Sequence, residues 1–267
     1  MPNSPPLVLL REGSVARLRL TGMDADAAAE EPVTCRALWR GLPGLVAQAE
    51  ATPSVLVLLI DSASPACFCT GPDRTELMAS RGNRGMARAA ADEVAAALSA
   101  LASCAKPTIA LLRGTCADGG LSLALACDLR FASDTARIGM TQGRLGLLPS
   151  FAEVRSLAAR VGVSRAADML FSGRMLAASD AERIGLVDDW WADGMFDAAI
   201  GEYVAAVCSL SQYSVRGVKA MLRGIAAGTT ADTPQTRAIF EQAFASEDFG
   251  EACAALQDAR RPDFHWR

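Results

Sequence analysis

The first part of the chain carries a hydrophobic pattern that predicts β-strands. Apolar and polar residues alternate through Val15–Leu20, which gives a strand one dry face and one wet face. A second strand over Leu7–Leu10 precedes it, hinged at Gly13. The continuous apolar run Val55–Ile60 is typical of a buried strand. We therefore expect β-structure to begin close to the N-terminus.

Apolar residues recur at helical spacing in four further segments. Their apolar faces consist of Leu38, Leu42, Leu45 and Ala49; Val94, Leu98 and Leu101; Val215, Val218, Leu222 and Ile225; and Ile239, Phe240, Ala243 and Phe244. A capping box at Ser179–Glu182 predicts a short helix that ends at Gly185, and Asp232–Pro234 marks another helix start. The second helix has to end before the Lys106–Pro107 step. Polar, glycine-containing residues 80–88 predict a mobile loop ahead of it.

The stretch between Lys106 and Pro149 places two glycines at the head of a helix. A β-branched strand over Thr108–Leu112 leads through a turn to Asp-Gly-Gly at residues 118–120, and apolar residues at helical spacing follow to Ala126. Such a helix tip leaves backbone N–H groups unhindered where the macrodipole is positive. It can hold a carbonyl oxygen that gains negative charge, as an oxyanion hole does.

Length and composition narrow the class of protein. The chain has 267 residues, of which 51% are hydrophobic and 21% charged, so it can bury a full core. The net charge of −4 and the lack of a basic cluster or of interleaved basic and aromatic residues argue against nucleic-acid binding. No apolar run is long enough to cross a bilayer, and the first residues lack the basic start of a signal peptide. We expect a cytoplasmic protein.

The cysteines do not form a metal or disulfide pattern. There are eight, but no CxxC pair, and Cys67 and Cys69 are separated by a single residue. The only histidine, His265, lies in the C-terminal tail and is expected to be a surface or packing residue. We therefore predict no bound metal, and cysteines that act as small buried hydrophobes.

Several motifs occur in an order that resembles one known family. They are FCTGPD at Phe68–Asp73, KPTIALLRGTCADGG at Lys106–Gly120, ACDLRFAS at Ala126–Ser133, and LGLLP ending at Pro149. Their order and spacing resemble the crotonase (enoyl-CoA hydratase/isomerase) superfamily. The resemblance implies an α/β fold, the ClpP-like spiral of ββα units, over residues 1–195. It also implies a helical region over residues 196–267 that makes trimer contacts and closes the acyl-group site.

Proteins of this superfamily hold an acyl-thioester carbonyl between two backbone N–H groups and thereby stabilise an enolate. By the resemblance, one donor is Gly119, with Asp118 and Gly120 on either side, and the other maps onto Pro72, which has no N–H. One alternative is that Pro72 is an ordinary first-turn proline in a protein that has given up half of its hole. The other is that the turn is reshaped so that the N–H of Gly71 or Asp73 points inward.

The acid–base groups of family hydratases are also replaced. The two glutamates of a hydratase map onto Ser122 and Gln142, and neither residue is a carboxylate base. Asp118 is a possible substitute, although a helix N-cap is the favoured interpretation. Glu153 points either into the acyl pocket or to solvent. Asp73 is expected to cap the helix that follows it, where Glu76 is a first-turn acid.

The resemblance implies coenzyme A or phosphopantetheine as part of the substrate and no other cofactor. The cations that would meet its phosphates are Arg74, Arg81, Arg84 and Arg88, with Lys219 farther along the chain. These arginines also suit the acidic face of an acyl carrier protein. For each of these cations, a solvated surface charge is the default interpretation.

We expect a homotrimer or hexamer that acts on an acyl thioester by isomerisation, decarboxylation or dehydration. FCTGPD and ADGGLS also resemble crotonase homologues of polyketide β-branching. The alternative is a catalytically weakened protein that binds the thioester or assists a partner enzyme.

Overall fold

Two sheets run through the protein, and the chain passes repeatedly from one to the other. The computed structural model describes residues 5–22 and 31–264, so His265 lies outside the described residues. The strands are β1 (Leu7–Glu12), β2 (Val15–Leu20), β3 (Val33–Thr34), β4 (Val57–Ser62), β5 (Cys67–Pro72), β6 (Thr108–Leu112), β7 (Thr115–Ala117), β8 (Leu129–Ser133), β9 (Arg137–Gly139), β10 (Leu176–Ala177) and β11 (Asp189–Trp191).

Helices connect these strands and make up most of the last seventy residues. They are α1 (Arg36–Glu50), α2 (Arg74–Ala79), α3 (Arg84–Ser103), α4 (Gly119–Leu125), α5 (Phe151–Ser172), α6 (Ala178–Arg183), α7 (Asp193–Cys208), α8 (Gln212–Ala226), α9 (Pro234–Ala243) and α10 (Glu247–Gln257). A short 3₁₀ turn covers Gln142–Leu145. No helix in the described ranges is both long and apolar enough to span a bilayer.

The strand order identifies the architecture as a spiral. One sheet has six strands in the order β1-β2-β4-β6-β8-β11, and the other has five in the order β10-β9-β7-β5-β3. Only the β1–β2 and β9–β10 pairs are antiparallel among the named strands. The successive pairs β4–β5, β6–β7 and β8–β9 each contribute one strand to each sheet before a helix follows. The predicted spiral of ββα units with a helical C-terminal region is therefore confirmed.

The main core lies where α1 packs against the six-stranded sheet. Leu38, Leu42 and Ala49 of α1 are almost fully buried, as their helical spacing predicts. Leu58 and Ile60 of β4 belong to the same cluster. Complete burial of one such aliphatic side chain contributes about 1.5–3 kcal/mol, so this face holds the helix firmly against the sheet.

The opposite face of the six-stranded sheet is covered by α7. Leu59 and Ile109 point to this side, because successive strand residues face opposite ways, and they pack with Phe196, Ile200 and Val204. The sheet is therefore buried on both faces, which explains why β4 is apolar at consecutive positions.

Two predicted local features are wrong. Residues 84–88 are helical and not a loop, because the Asn83 side chain caps α3 by accepting the N–H of Met86. The helix of the Ser179 segment begins at Ala178, with Ala177 at the N-cap position and no side-chain cap. Strand β10 continues directly into this helix, so Ser179 lies inside the helix rather than at its start.

Candidate functional site

Two strand-to-helix turns lie side by side at one edge of the five-stranded sheet. Strands β5 and β7 pair in parallel, so the turns that follow them, at residues 71–73 and 118–120, meet at the same edge. A Cβ placed on Gly71 would lie 2.8 Å from Oδ2 of Asp118, which shows how closely the turns approach. The sequence motifs FCTGPD and ADGG are thus brought together.

Gly119 is the first residue of α4 and lines a cavity of about 600 Å³. As in the first turn of any helix, its N–H has no acceptor within the helix. Gly120 is buried, and a Cβ there would lie 2.3 Å from the carbonyl oxygen of Cys69. Glycine at position 120 therefore lets the helix start against β5, and the helix tip opens onto the cavity.

The turn after β5 shows neither the first-turn proline nor the inward N–H of Asp73 that the sequence left open as alternatives. Pro72 ends the strand and Asp73 is the N-cap, so Pro72 is not a first-turn proline. The N–H of Asp73 donates to the carbonyl oxygen of Thr34 at 2.9 Å and does not point inward as a free donor. Asp73 does cap its helix, because Oδ1 accepts the N–H of Glu76 at 2.9 Å.

The carboxylate of Asp118 does not cap α4, contrary to the favoured interpretation. Its backbone has a φ of 53°, and the side chain turns away from its own helix. Oδ1 accepts the backbone N–H of Thr141, and Oδ2 accepts the Thr141 hydroxyl at 2.9 Å. A buried carboxylate thus joins the start of α4 to the segment after β9. Sequence reasoning missed Thr141, because its partner lies 23 residues away.

Ser122 and Glu153 form a hydrogen-bonded pair beside this helix tip. The Ser122 hydroxyl donates to Oε1 of Glu153 at 2.7 Å, and it also lies 3.2 Å from the carbonyl oxygen of Asp118. Glu153 is the third residue of α5, where Oε2 accepts the N–H of Ser150 at 2.7 Å in a capping box. Its side chain lines the cavity rather than facing open solvent. The cap fixes this carboxylate next to residue 122.

Gln142 occupies the first position of the 3₁₀ turn and lines the same cavity. It is only 8% exposed. Within the described part of the chain, its Oε1 accepts no hydrogen bond. Such a buried polar atom costs about 1–3 kcal/mol when nothing satisfies it.

The remaining cavity wall is largely apolar and comes from α1, α2 and α3. Its apolar side chains include Trp39, Leu77, Met86, Ala87, Ala90, Ala91 and Val94. At its polar edge, Arg36 donates to both oxygens of Glu93, and Arg40 donates to one. The guanidinium groups of Arg36 and then Arg40 lower the pKa of Glu93 to about 2. Glu93 is therefore a permanent anion near neutral pH, and Glu76 accepts the backbone N–H of Arg36.

The predicted phosphate-binding cations lie in two different environments. Arg74, Arg81, Arg84 and Arg88 are exposed on or beside α2 and α3, outside the cavity lining. Lys219 is buried instead, donates to the carbonyl oxygen of Lys106, and forms an ion pair with Asp128. It cannot meet a phosphate at the surface.

The described residues contain no group of three or more His, Cys, Asp or Glu side chains that would suit a metal ion. Cys67, Cys69 and Cys116 are buried, and burial raises the pKa of the Cys67 thiol to about 12. These thiols are therefore protonated and pack as apolar groups.

Comparisons with known proteins point to a single family. The protein-family model described as enoyl-CoA hydratase/isomerase matches residues 35–267 of the sequence. The protein named "Probable enoyl-CoA hydratase echA8" from Mycobacterium tuberculosis is 33% identical over 171 residues, or 62% of this chain. The matched region spans 65% of that relative's length.

Solved structures are similar over nearly the whole chain. An enoyl-CoA hydratase/isomerase family protein from Hyphomonas neptunium is 35% identical, with a TM-score of 0.91 and 98% of both chains covered. An enoyl-CoA hydratase/carnithine racemase from Magnetospirillum magneticum has a TM-score of 0.90 at 24% identity, over 98% of this chain and 96% of that one. At that lower identity the likeness concerns the fold.

Proposed function

Because this chain belongs to the enoyl-CoA hydratase/isomerase family, we propose that it is an enzyme that shifts a double bond within an acyl thioester. The N–H of Gly119 binds the thioester oxygen, and Glu153 moves the proton. The observation that carries this proposal is the 2.7 Å hydrogen bond between Ser122 and Glu153, beside the glycine tip in a shared cavity.

The Ser122 hydroxyl suits a carboxylate that changes protonation state. When Glu153 is ionised, the hydroxyl donates to it at 2.7 Å. When Glu153 carries a proton, the hydroxyl can accept that proton's hydrogen bond and donate to the Asp118 carbonyl, 3.2 Å away. Among the described residues, the side chain of Glu76 accepts only the backbone N–H of Arg36, which cannot accept a hydrogen bond in return.

The proposed reaction balances with one carboxylate. Glu153 removes a proton from C2 of a 3-enoyl thioester, and the electron pair moves into a dienolate whose oxygen is bound by Gly119. Protonated Glu153 then returns the proton to C4, which leaves a 2-enoyl thioester and an ionised carboxylate. Water addition by the paired-carboxylate route lacks support, since Ser122 and Gln142 stand at those two positions.

The direct test compares two substrates by ultraviolet absorbance. We expect 3-hexenoyl-CoA to gain the absorbance of a conjugated thioester, and crotonyl-CoA to keep its absorbance. Glu153→Gln retains the capping box through its amide oxygen but cannot take up the proton. It should slow isomerisation by on the order of a hundredfold or more. Glu241→Gln, on the exposed face of α9, is the matched control.

Hydration of crotonyl-CoA at the rate of 3-hexenoyl-CoA isomerisation, or full activity of Glu153→Gln, would contradict this assignment. Dehydration or decarboxylation through the same enolate would appear as conversion of a 3-hydroxyacyl or malonyl-type thioester instead.

Pro72 favours a second candidate, a weakened protein that binds the thioester without converting it. Loss of one donor from an oxyanion hole costs on the order of a hundred- to a thousandfold in rate. This candidate requires that acyl-CoA binds measurably by calorimetry while no isomerisation and no exchange of the α-proton with solvent occur.

The exposed arginines on and beside α2 and α3 suit a thioester carried either by coenzyme A or by a carrier protein. Arg81, Arg84 and Arg88 surround the turn between the helices, and Ser80 and Met86 of this region line the cavity. Charge complementarity therefore suits either coenzyme A phosphates or an acidic carrier protein of a biosynthetic pathway. Replacement of these arginines by glutamine should raise KM for the natural form more than for the other.

Assembly into a trimer or hexamer is supported by uncovered apolar side chains of the helical region. Val218, Leu222 and Ile225 of α8 are more than half exposed, as are Phe240 and Phe244 of the α9 segment. Phe240 and Phe244 are in ring contact, and exposed apolar side chains that adjoin one another are typical of interaction surfaces. Light scattering on the purified protein tests for a trimer or hexamer. The same measurement on Leu222→Lys tests whether residues 196–267 act as the assembly region.

A further inference from the structure

Gln142 is a buried polar side chain that the proton transfer does not use. It lies against the cavity, is 8% exposed, and has an Oε1 without a donor among the described residues. Its Nε2 has no acceptor among the described residues either, and unlike Oε1 it is not sealed from solvent. The N–H groups on Nε2 are therefore the donors that an acceptor in the cavity would meet.

The carboxylate of Asp118 brings three neighbours of this cavity together. It lies against Gly71 and accepts two hydrogen bonds from Thr141. Asp118 itself is the residue that precedes α4. The residues that follow these three anchors are Pro72, Gly119 and Gln142, and all three line the cavity. The buried carboxylate of Asp118, which we call the hub, therefore holds Pro72, Gly119 and Gln142 around the same cavity.

We propose that the carboxamide of Gln142 donates the second hydrogen bond to the thioester oxygen, in place of the N–H that Pro72 lacks. This inference rests on the proposed role of Gly119 as the first donor. It makes Gln142 an oxyanion-binding residue and explains why a neutral amide stands where family hydratases use a carboxylate. An amide N–H can donate to the enolate oxygen and stabilise it, which an ionised carboxylate cannot do.

The test is a double-mutant cycle between Gln142 and Pro72. Gln142→Met keeps the length of the side chain and removes its donors, and Pro72→Ala restores a backbone N–H. We expect Gln142→Met to lower the isomerisation rate by on the order of a hundredfold. Pro72→Ala should recover about tenfold of that loss in the Gln142→Met background, and much less in the wild-type background.

A second readout separates this inference from the proposed function. The carbonyl stretch of bound ¹³C-labelled butyryl-CoA, a saturated thioester that cannot isomerise, reports hydrogen bonds to its oxygen. Gln142→Met should move this stretch towards its value in solution, and Pro72→Ala should move it back. If the wild type polarises the carbonyl but does not isomerise 3-hexenoyl-CoA, the proposed function fails and the inference stands.

Equal effects of Pro72→Ala in both backgrounds, or an unchanged carbonyl stretch in Gln142→Met, would overturn the inference. Thermal unfolding of each variant checks that it is folded, and Gln142→Asn provides a shorter amide if the methionine variant is not. The Gln142→Asn variant should retain part of the carbonyl shift, because its donor is present but reaches less far.

Discussion

The turns after β5 and β7 begin alike and serve different purposes. Each follows one of two adjacent parallel strands, and each places an aspartate at the N-cap position of a helix. Asp73 accepts an N–H of its own helix, whereas Asp118 reaches across to Thr141. The first turn fastens its helix locally, and the second leaves its helix tip open to the cavity.

The backbone explains the difference between the two aspartates. Asp118 has a φ of 53°, a conformation uncommon outside glycine, so its side chain points away from the helix. Asp73 has a φ of −52°, within the ordinary range. An aspartate before a helix therefore predicts a cap only where the chain enters the helix in the usual way. Where it does not, the same carboxylate becomes available for tertiary contacts.

The largest effect is expected from glycine replacement on the open side. Gly120→Ala places a methyl group 2.3 Å from the backbone oxygen of Cys69, and backbone cannot move aside easily. We expect a loss of about 3 kcal/mol in urea unfolding. The matched change Gly71→Ala meets Oδ2 at the end of the Asp118 side chain at 2.8 Å. That atom can shift at the expense of its hydrogen bond from the Thr141 hydroxyl, so the loss should be smaller. Equal losses would mean that the two turns are packed alike.

A smaller effect is expected when the hub is removed. Asp118→Ala leaves the Thr141 N–H without its acceptor, which should cost about 2 kcal/mol in unfolding free energy. It should also lower activity, because Gly119 and Gln142 lose their common anchor. Thr141→Val, which removes only the hydroxyl bond, is the control and should keep most of the activity. Activity that survives Asp118→Ala would exclude the hub.

The smallest effect is expected at the local cap. Asp73→Ala removes one N-cap hydrogen bond at the start of α2 and should cost about 1 kcal/mol. Asp73→Ser should restore most of that loss, since serine caps well. Denaturant titrations give the unfolding free energies of both variants and test this expectation. If the alanine and serine variants behave identically, the hydrogen bond to Glu76 contributes nothing to stability.

Local and periodic features were predictable from the sequence. Alternation fixes β2, the helical spacing of Leu38, Leu42 and Ala49 fixes the buried face of α1, and the motif order indicates the spiral. The start of α3 was not predictable from composition, because polar residues 84–88 suit a loop and a capped helix equally well. The division at residue 195 stays a prediction.

The site was predictable only in part. The motifs indicate Gly119, and family positions draw attention to Ser122 and Gln142. The contact between Ser122 and Glu153 depends on how α5 packs beside α4, and 31 residues separate the pair. No local rule reports such a contact. The sequence therefore leaves Glu153 open between pocket and solvent, and the capping box of α5 settles its direction.

Two hydrogen bonds have a consequence for redesign: the N–H of Asp73 donates to the carbonyl oxygen of Thr34, and the N–H of Arg36 donates to the carboxylate of Glu76. These bonds hold the segment at the start of α1 against α2. Substitutions on this side of the cavity are therefore poorly suited to changing the size of the cavity. The small residues of α3 make no side-chain hydrogen bonds, since Ala87, Ala90 and Ala91 line the cavity with single methyl groups. If the proposed function holds, larger side chains there should shorten the acyl chain that the cavity accepts without changing the pair of Ser122 and Glu153.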